Sequence, residues 1–162
     1  MRVLIDIGHP AHVHFFKNLV FNLQHDGHDV RITTRDKEVS IALLEAYGLP
    51  YELRGEMYKG MFKKAIGMLK IDLKLYEIAK KFQPDLLMGV GNPYVAHIGT
   101  LLRKPAIIFT DTENVKTSSL LTYPFASSII TPEYFQERLD PKKQVKIRGF
   151  KEIAYLHPKY FV

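Results

Sequence analysis

Short apolar runs alternate with longer amphipathic segments along almost the whole chain, and few architectures accept that pattern. Runs such as Val3-Leu4-Ile5 and Ala106-Ile107-Ile108 are followed by stretches whose apolar residues recur every three or four positions. That is the signature of a parallel sheet covered by helices. Strands are expected at residues 2–7, 29–34, 51–53, 85–90, 106–110, 128–131 and 145–148. Helices are expected at 11–25, 37–47, 61–82, 94–102, 115–121 and, briefly, 133–139. Val13, Phe16, Val20 and Leu23 form the apolar stripe of the first helix; Phe62, Ile66, Leu69, Leu73 and Tyr76 form that of the long third one. Gly48 and Pro84 stop the helices before them.

Right-handed crossovers throughout turn this pattern into a Rossmann-like α/β domain. The sheet is doubly wound and parallel, of about seven strands in the order 3-2-1-4-5-6-7, with helices on both faces. The length of 162 residues suits one domain. Residues 1–150 are assigned to it, and 151–162, with a short helix at 152–157, to the start of a linker towards a second domain.

Composition narrows the chemistry. The chain has no cysteine, which removes disulfides, thiolate metal sites and cysteine nucleophiles. The first apolar run meets Asp6 and Gly8 too early for a signal-peptide core, and no stretch is long enough to span a bilayer. A cytoplasmic protein is expected. The net charge is +6, and residues 55–82 hold seven lysines against Glu56, Asp72 and Glu77, so that segment alone contributes +4. Such a surface favours anionic partners. Nucleic acid is not expected, because the basic residues lie along one helix without an aromatic stacking platform.

In a doubly wound sheet, ligands bind beyond the carboxyl ends of the strands, where the strand order reverses. Four loops lie there. The first reads Gly8-His9-Pro10-Ala11-His12-Val13-His14. It lacks the three glycines of a dinucleotide fingerprint, and the second strand ends Thr33-Thr34-Arg35 without a ribose-binding carboxylate, which argues against a dehydrogenase. His9 and His12 are candidate bases, since imidazole titrates near neutrality. Gly8, Pro10, His14 and Arg35 are candidate ligand contacts. The bland reading is that His9 and Pro10 shape the turn while His14 packs or caps. His12 and His14 diverge by about 200° around a helix, so a shared metal ion is not expected.

The second loop, Gly91-Asn92-Pro93, offers a close backbone approach, and Asn92 is also a good N-cap. The third carries Asp111 and Glu113, which could bind sugar hydroxyls, act as acid or base, or cap the next helix. Thr131 and Glu133 line the fourth.

The opening motif Gly8-His9-Pro10-Ala11-His12-Val13-His14-Phe15-Phe16 resembles that of an uncharacterised GT-B-like family of unknown function. The segments Gln83-Pro84-Asp85-Leu86-Leu87-Met88-Gly89-Val90-Gly91-Asn92, Lys104-Pro105-Ala106-Ile107-Ile108 and Glu113-Asn114 are similar to two further groups. These are the undecaprenyl-linked N-acetylglucosaminyltransferase of peptidoglycan synthesis and the non-hydrolysing UDP-N-acetylglucosamine 2-epimerases. The resemblance covers only the first half of those proteins. It implies the N-terminal, acceptor-side half of a GT-B fold, with a nucleotide sugar and an unidentified acceptor as partners.

It also implies transfer without a metal or cofactor, the leaving diphosphate being stabilised by helix dipoles and side chains. Epimerisation of a UDP-sugar, or a non-catalytic module for an anionic ligand, are the alternatives. Residues 57–64 mix methionine, aromatic and lysine side chains in a way that suits an anionic membrane surface. The isolated chain is expected to fold without turning over substrate, and a second copy is expected to cover the bare cleft wall.

Overall fold

The computed structural model describes residues 1–36, 38–55, 61–113 and 116–160. The apolar run of β1 (Arg2–Ile7) forms the middle of the sheet, with Val3, Leu4, Ile5 and Ile7 buried. On either side of it run β2 (Asp29–Thr34) and β3 (Tyr51–Leu53), then β4 (Leu86–Val90), β5 (Ala106–Phe109), β6 (Ser128–Pro132) and β7 (Gln144–Ile147). All pairings are parallel and the order is β3-β2-β1-β4-β5-β6-β7, as the sequence pattern requires.

The helices are α1 (Pro10–His25), α2 (Glu38–Ala46), α3 (Met61–Phe82), α4 (Pro93–Leu102), α5 (Lys116–Thr122) and the short α6 (Ile153–Leu156). Because side chains alternate across a strand, β1 feeds two cores. Val3, Ile5 and Ile7 join Val13, Phe16, Val20 and Leu44 on one face. Leu4 joins Leu75, Ile78, Phe82 and Ile98 on the other.

Two expectations are corrected. The face of α3 that enters the core is Ile71, Leu75, Ile78, Ala79 and Phe82. Ile66, Leu69 and Leu73, expected inside, are 56%, 63% and 65% exposed; Tyr76 is partly buried against the core. The helix carries two apolar stripes on nearly opposite sides, about 170° apart, and the sheet takes the one nearer its C-terminus. The short helix expected at 133–139 does not form. Phe135 N–H closes a turn on the Pro132 carbonyl, and Gln136 N–H is taken by the Glu113 carboxylate at 2.7 Å, so those donors are spent elsewhere.

Residues 151–160 fold back onto α1. Asn18 donates through its side-chain amide to the Ala154 carbonyl at 2.8 Å, and the His14 and Tyr155 rings lie 5.8 Å apart. Of the basic and aromatic stretch at 57–64, residues 57–60 and the side chains of 61–64 lie outside the described residues.

Candidate functional site

A carboxylate buried in the centre of an apolar strand must be paired, because desolvating it alone is prohibitive. Asp6 on β1 is fully buried. The register places it between Thr33 on β2 and Gly89 on β4. Its Oδ1 accepts from Thr33 Oγ1 at 2.7 Å and from Arg54 Nε at 2.6 Å. Its Oδ2 accepts from Asn92 Nδ2. Asn92 in turn caps α4, its Oδ1 accepting from Val95 N–H at 3.2 Å, and Pro93 sits at the first helical turn where no N–H is missed. The Arg54 guanidinium lies over the Tyr94 ring, 4.7 Å from its centre. One buried group thus fastens the ends of β1, β2 and β3 to the β4–α4 turn, at the carboxyl edge of the sheet.

Two cavities open there. The first, about 240 Å³, is lined by Gly8, His12, Arg35, Arg54, Asn92 and Tyr94, among others. The second, about 220 Å³, is lined by His12, Thr110, Asp111, Thr112, Ser119, Tyr123 and Lys151, among others. His12, Val90 and Gly91 belong to both, so the cavities are two lobes of one cleft with His12 at the seam. Gly91 turns with φ +51°, the left-handed region that favours glycine, so the cleft floor is bare backbone at that point.

His12 Nδ1 is buried and has no hydrogen-bond partner among the described residues. Burial, then the neighbouring His9 and Lys151, lower its pKa from the ordinary 6.5 to about 4, against an opposing pull from Asp6 and Asp111. The ring is therefore neutral at neutral pH and can accept a proton. Asp111 Oδ2 lies 2.7 Å from Lys151 Nζ on the far side of the second lobe.

The other sequence candidates divide. His9 is exposed and serves as the N-cap of α1: its Nδ1 accepts from Ala11 N–H at 3.2 Å, with Pro10 at the first turn. Its ring centre lies 5.8 Å from that of His12. His14 points away from the cleft and bonds the Tyr47 hydroxyl at 3.0 Å. Glu113 holds the 135–136 turn. Thr131 lies within β6, buried, and accepts from Gln144 at 3.0 Å; it borders a small apolar cavity beside Asp111 and Lys151. Glu133 is exposed and faces Arg148 at 3.8 Å. Gly8, Arg35, Asn92 and Pro93 line the first lobe.

Sequence reasoning passed over Asp6, Arg54 and Lys151. The signal was present for Asp6, an acid inside the run Val-Leu-Ile-Asp-Ile, which demands a buried cation. Arg54 follows the third strand directly.

The fold recurs in solved enzymes. MurG of Acinetobacter baumannii is similar with a TM-score of 0.70 at 17% identity, over 92% of this chain and 46% of that one. Spinosyn rhamnosyltransferase SpnG, complexed with thymidine diphosphate, gives 0.64 at 16% identity, over 86% and 48%. The UDP-GlcNAc 2-epimerase of Neisseria meningitidis, bound to UDP-GlcNAc, gives 0.65 at 14%, over 82% and 40%. The chain therefore spans less than half the length of each of these proteins, as one Rossmann-like half of a GT-B fold. In sequence, residues 1–158 match the model of a protein family of unknown function, and the chain belongs to that family, DUF354.

Proposed function

We propose that this chain is the acceptor-side half of a cytoplasmic enzyme that transfers a sugar from a nucleotide sugar to an acceptor hydroxyl. The observation that carries this reading is the position of His12, neutral and with an unpartnered Nδ1, at the seam of a two-lobed cleft on the carboxyl edge of the sheet. His12 takes the proton of the acceptor hydroxyl as that oxygen attacks the anomeric carbon of the donor sugar. The bond from that carbon to the diphosphate breaks, and its electron pair leaves with the nucleoside diphosphate. Asp111, oriented by Lys151, accepts hydrogen bonds from sugar hydroxyls in the second lobe, whose Thr110, Thr112, Ser119 and Tyr123 suit the same partner. An anionic donor brought against the cleft raises the His12 pKa towards neutrality, where a base is most effective.

In such a cleft the donor is held by a second domain, so the 162-residue chain binds its ligand without turning it over. The test is a panel of UDP- and TDP-sugars. The chain alone leaves them intact, a longer protein carrying a donor-side domain consumes them, and His12→Ala abolishes consumption. A new glycosidic bond in the product supports transfer. An epimerised UDP-sugar assigns the protein instead to the chemistry of the epimerase whose fold it shares. Consumption by the chain alone refutes the half-enzyme reading.

A second reading concerns where the protein works. The ridge Ile66, Leu69 and Leu73 on α3 is exposed beside Lys70 and Lys74, and the basic, aromatic stretch 57–64 leads into it. We assign this face to an anionic membrane surface, which would bring the cleft to a lipid-borne acceptor. No helix among the described residues is long and apolar enough to cross a membrane, so the contact is peripheral. A second copy covering the cleft wall is the competing use of exposed apolar surface, and light scattering of the purified chain distinguishes monomer from dimer.

A further inference from the structure

The two lobes of the cleft differ in character. The second is lined with hydroxyls and one carboxylate–lysine pair. The first has two arginines, Arg35 and Arg54, on its wall and no carboxylate among its described lining residues. Arg54 is 3% exposed, an uncommon burial for a guanidinium. Asp6 lies behind it, fully buried and outside the described cavity lining, and engages it through Nε. The Tyr94 ring beneath the guanidinium restrains it further. The terminal nitrogens of the fork are therefore pre-oriented, with little conformational freedom left to lose on binding.

A buried arginine needed only to neutralise Asp6 would have no reason to border a cavity. The N-terminal end of α4, at Asn92, Pro93 and Tyr94, lies on the same wall and adds the positive end of a ten-residue helix.

We infer that the first lobe is a binding site for a phosphoryl group, held between the guanidinium groups of Arg54 and Arg35 beside the N-terminus of α4. A planar carboxylate is saturated by one guanidinium fork. Two arginines and a helix end lining one space match the diverging oxygens of a tetrahedral phosphate. The assignment of this phosphoryl group to the acceptor rests on the transferase reading above. The acceptor would then be a phosphorylated sugar or lipid, with its phosphate in the arginine lobe and its reacting hydroxyl at His12. A negative charge placed there also stabilises the imidazolium that forms as His12 takes the proton.

The experiment titrates inorganic phosphate, and separately acetate, into the isotope-labelled chain while the His12 ring and the Gly8 and Gly91 amides are followed by NMR. Saturable shifts with phosphate, and much smaller ones with acetate, are expected. Arg54→Lys keeps a cation against Asp6 but loses the fork, and should weaken phosphate binding by about tenfold or more. Arg35→Gln, away from the buried pair, provides the second variant and should also weaken it. No saturable response to phosphate, equal binding of acetate, or unchanged affinity in both variants overturns the site.

A phosphorylated sugar and a phospholipid headgroup, compared in the same assay, show which source of phosphate is preferred. The transferase reading fails separately, if no nucleotide sugar is consumed by the longer protein, and leaves a phosphate site measured in this way intact.

Discussion

Asp6 and Arg54, 48 positions apart in the chain, meet in the interior with Oδ1 2.6 Å from Nε, and both are almost fully shielded from solvent. The pair joins the central strand to the end of β3 and fixes the wall of the cleft. Removing one member leaves the other charge buried and uncompensated. Asp6→Asn, which keeps the shape and discards the charge, is expected to destabilise the fold by about 3–5 kcal/mol. Urea denaturation at neutral pH measures it, and a change within the scatter of surface mutants would show that Arg54 is satisfied without Asp6.

The His12 ring gives a pH signature with a definite sign. Its pKa in the fold, about 4, lies below the ordinary 6.5, chiefly through burial. Between those values the unfolded chain binds the proton that the fold refuses, so stability contributed by neutral His12 is full above 6.5 and drains away as pH falls towards 4. His12→Gln removes this part of the acid sensitivity. Denaturation at pH 7 and pH 5 should show a smaller loss for the variant than for the parent; equal losses contradict the assignment.

Gly99, on the inner face of α4, lets the helix approach β5. A Cβ built there would sit 2.7 Å from Ala106 Cβ and 3.0 Å from the Lys104 carbonyl. Both neighbours are on the backbone or one bond from it and give way little. Gly99→Ala should therefore cost about 1–3 kcal/mol in spite of alanine's better helix propensity. A thermal melt that rises would show that α4 can shift outward freely.

The face of α3 offers a surface test. Replacing Leu69 and Leu73, 63% and 65% exposed, by glutamate should leave the fold intact, because neither enters the core. It should also reduce co-sedimentation with vesicles containing anionic lipid at low salt. Parent protein that stays in the supernatant with such vesicles would refute the membrane reading outright.

The strand order was legible because each element states its type through periodicity and its stops through Gly48 and Pro84, and crossover handedness then leaves little choice. The face of α3 was not. Ile66, Leu69 and Leu73 are spaced as regularly as Ile71, Leu75 and Ile78, and periodicity alone cannot say which stripe meets a sheet. The site was half legible. Loop position at the strand ends pointed to His12, Asn92 and Asp111, whereas Arg54 reaches the cleft only through a tertiary pairing with Asp6. His9 and His14 show the limit of reading by residue type. The same imidazole caps a helix at one position and bonds a tyrosine at another.

The segment that folds back onto α1 sets a condition on the second lobe. Lys151 forms part of that lobe and holds Asp111, yet it belongs to a stretch fastened by side-chain contacts such as Asn18 to Ala154 and His14 against Tyr155, outside the sheet. Such a stretch opens locally at a free energy well below that of global unfolding. The Asp111 partner and one wall of this lobe therefore depend on that stretch, whereas Arg54 in the other lobe is held from the interior by Asp6. The cleft thus joins a half anchored through the buried Asp6 to a half whose wall depends on Lys151, shortly beyond the last strand, and easier ligand exchange is expected on that second side.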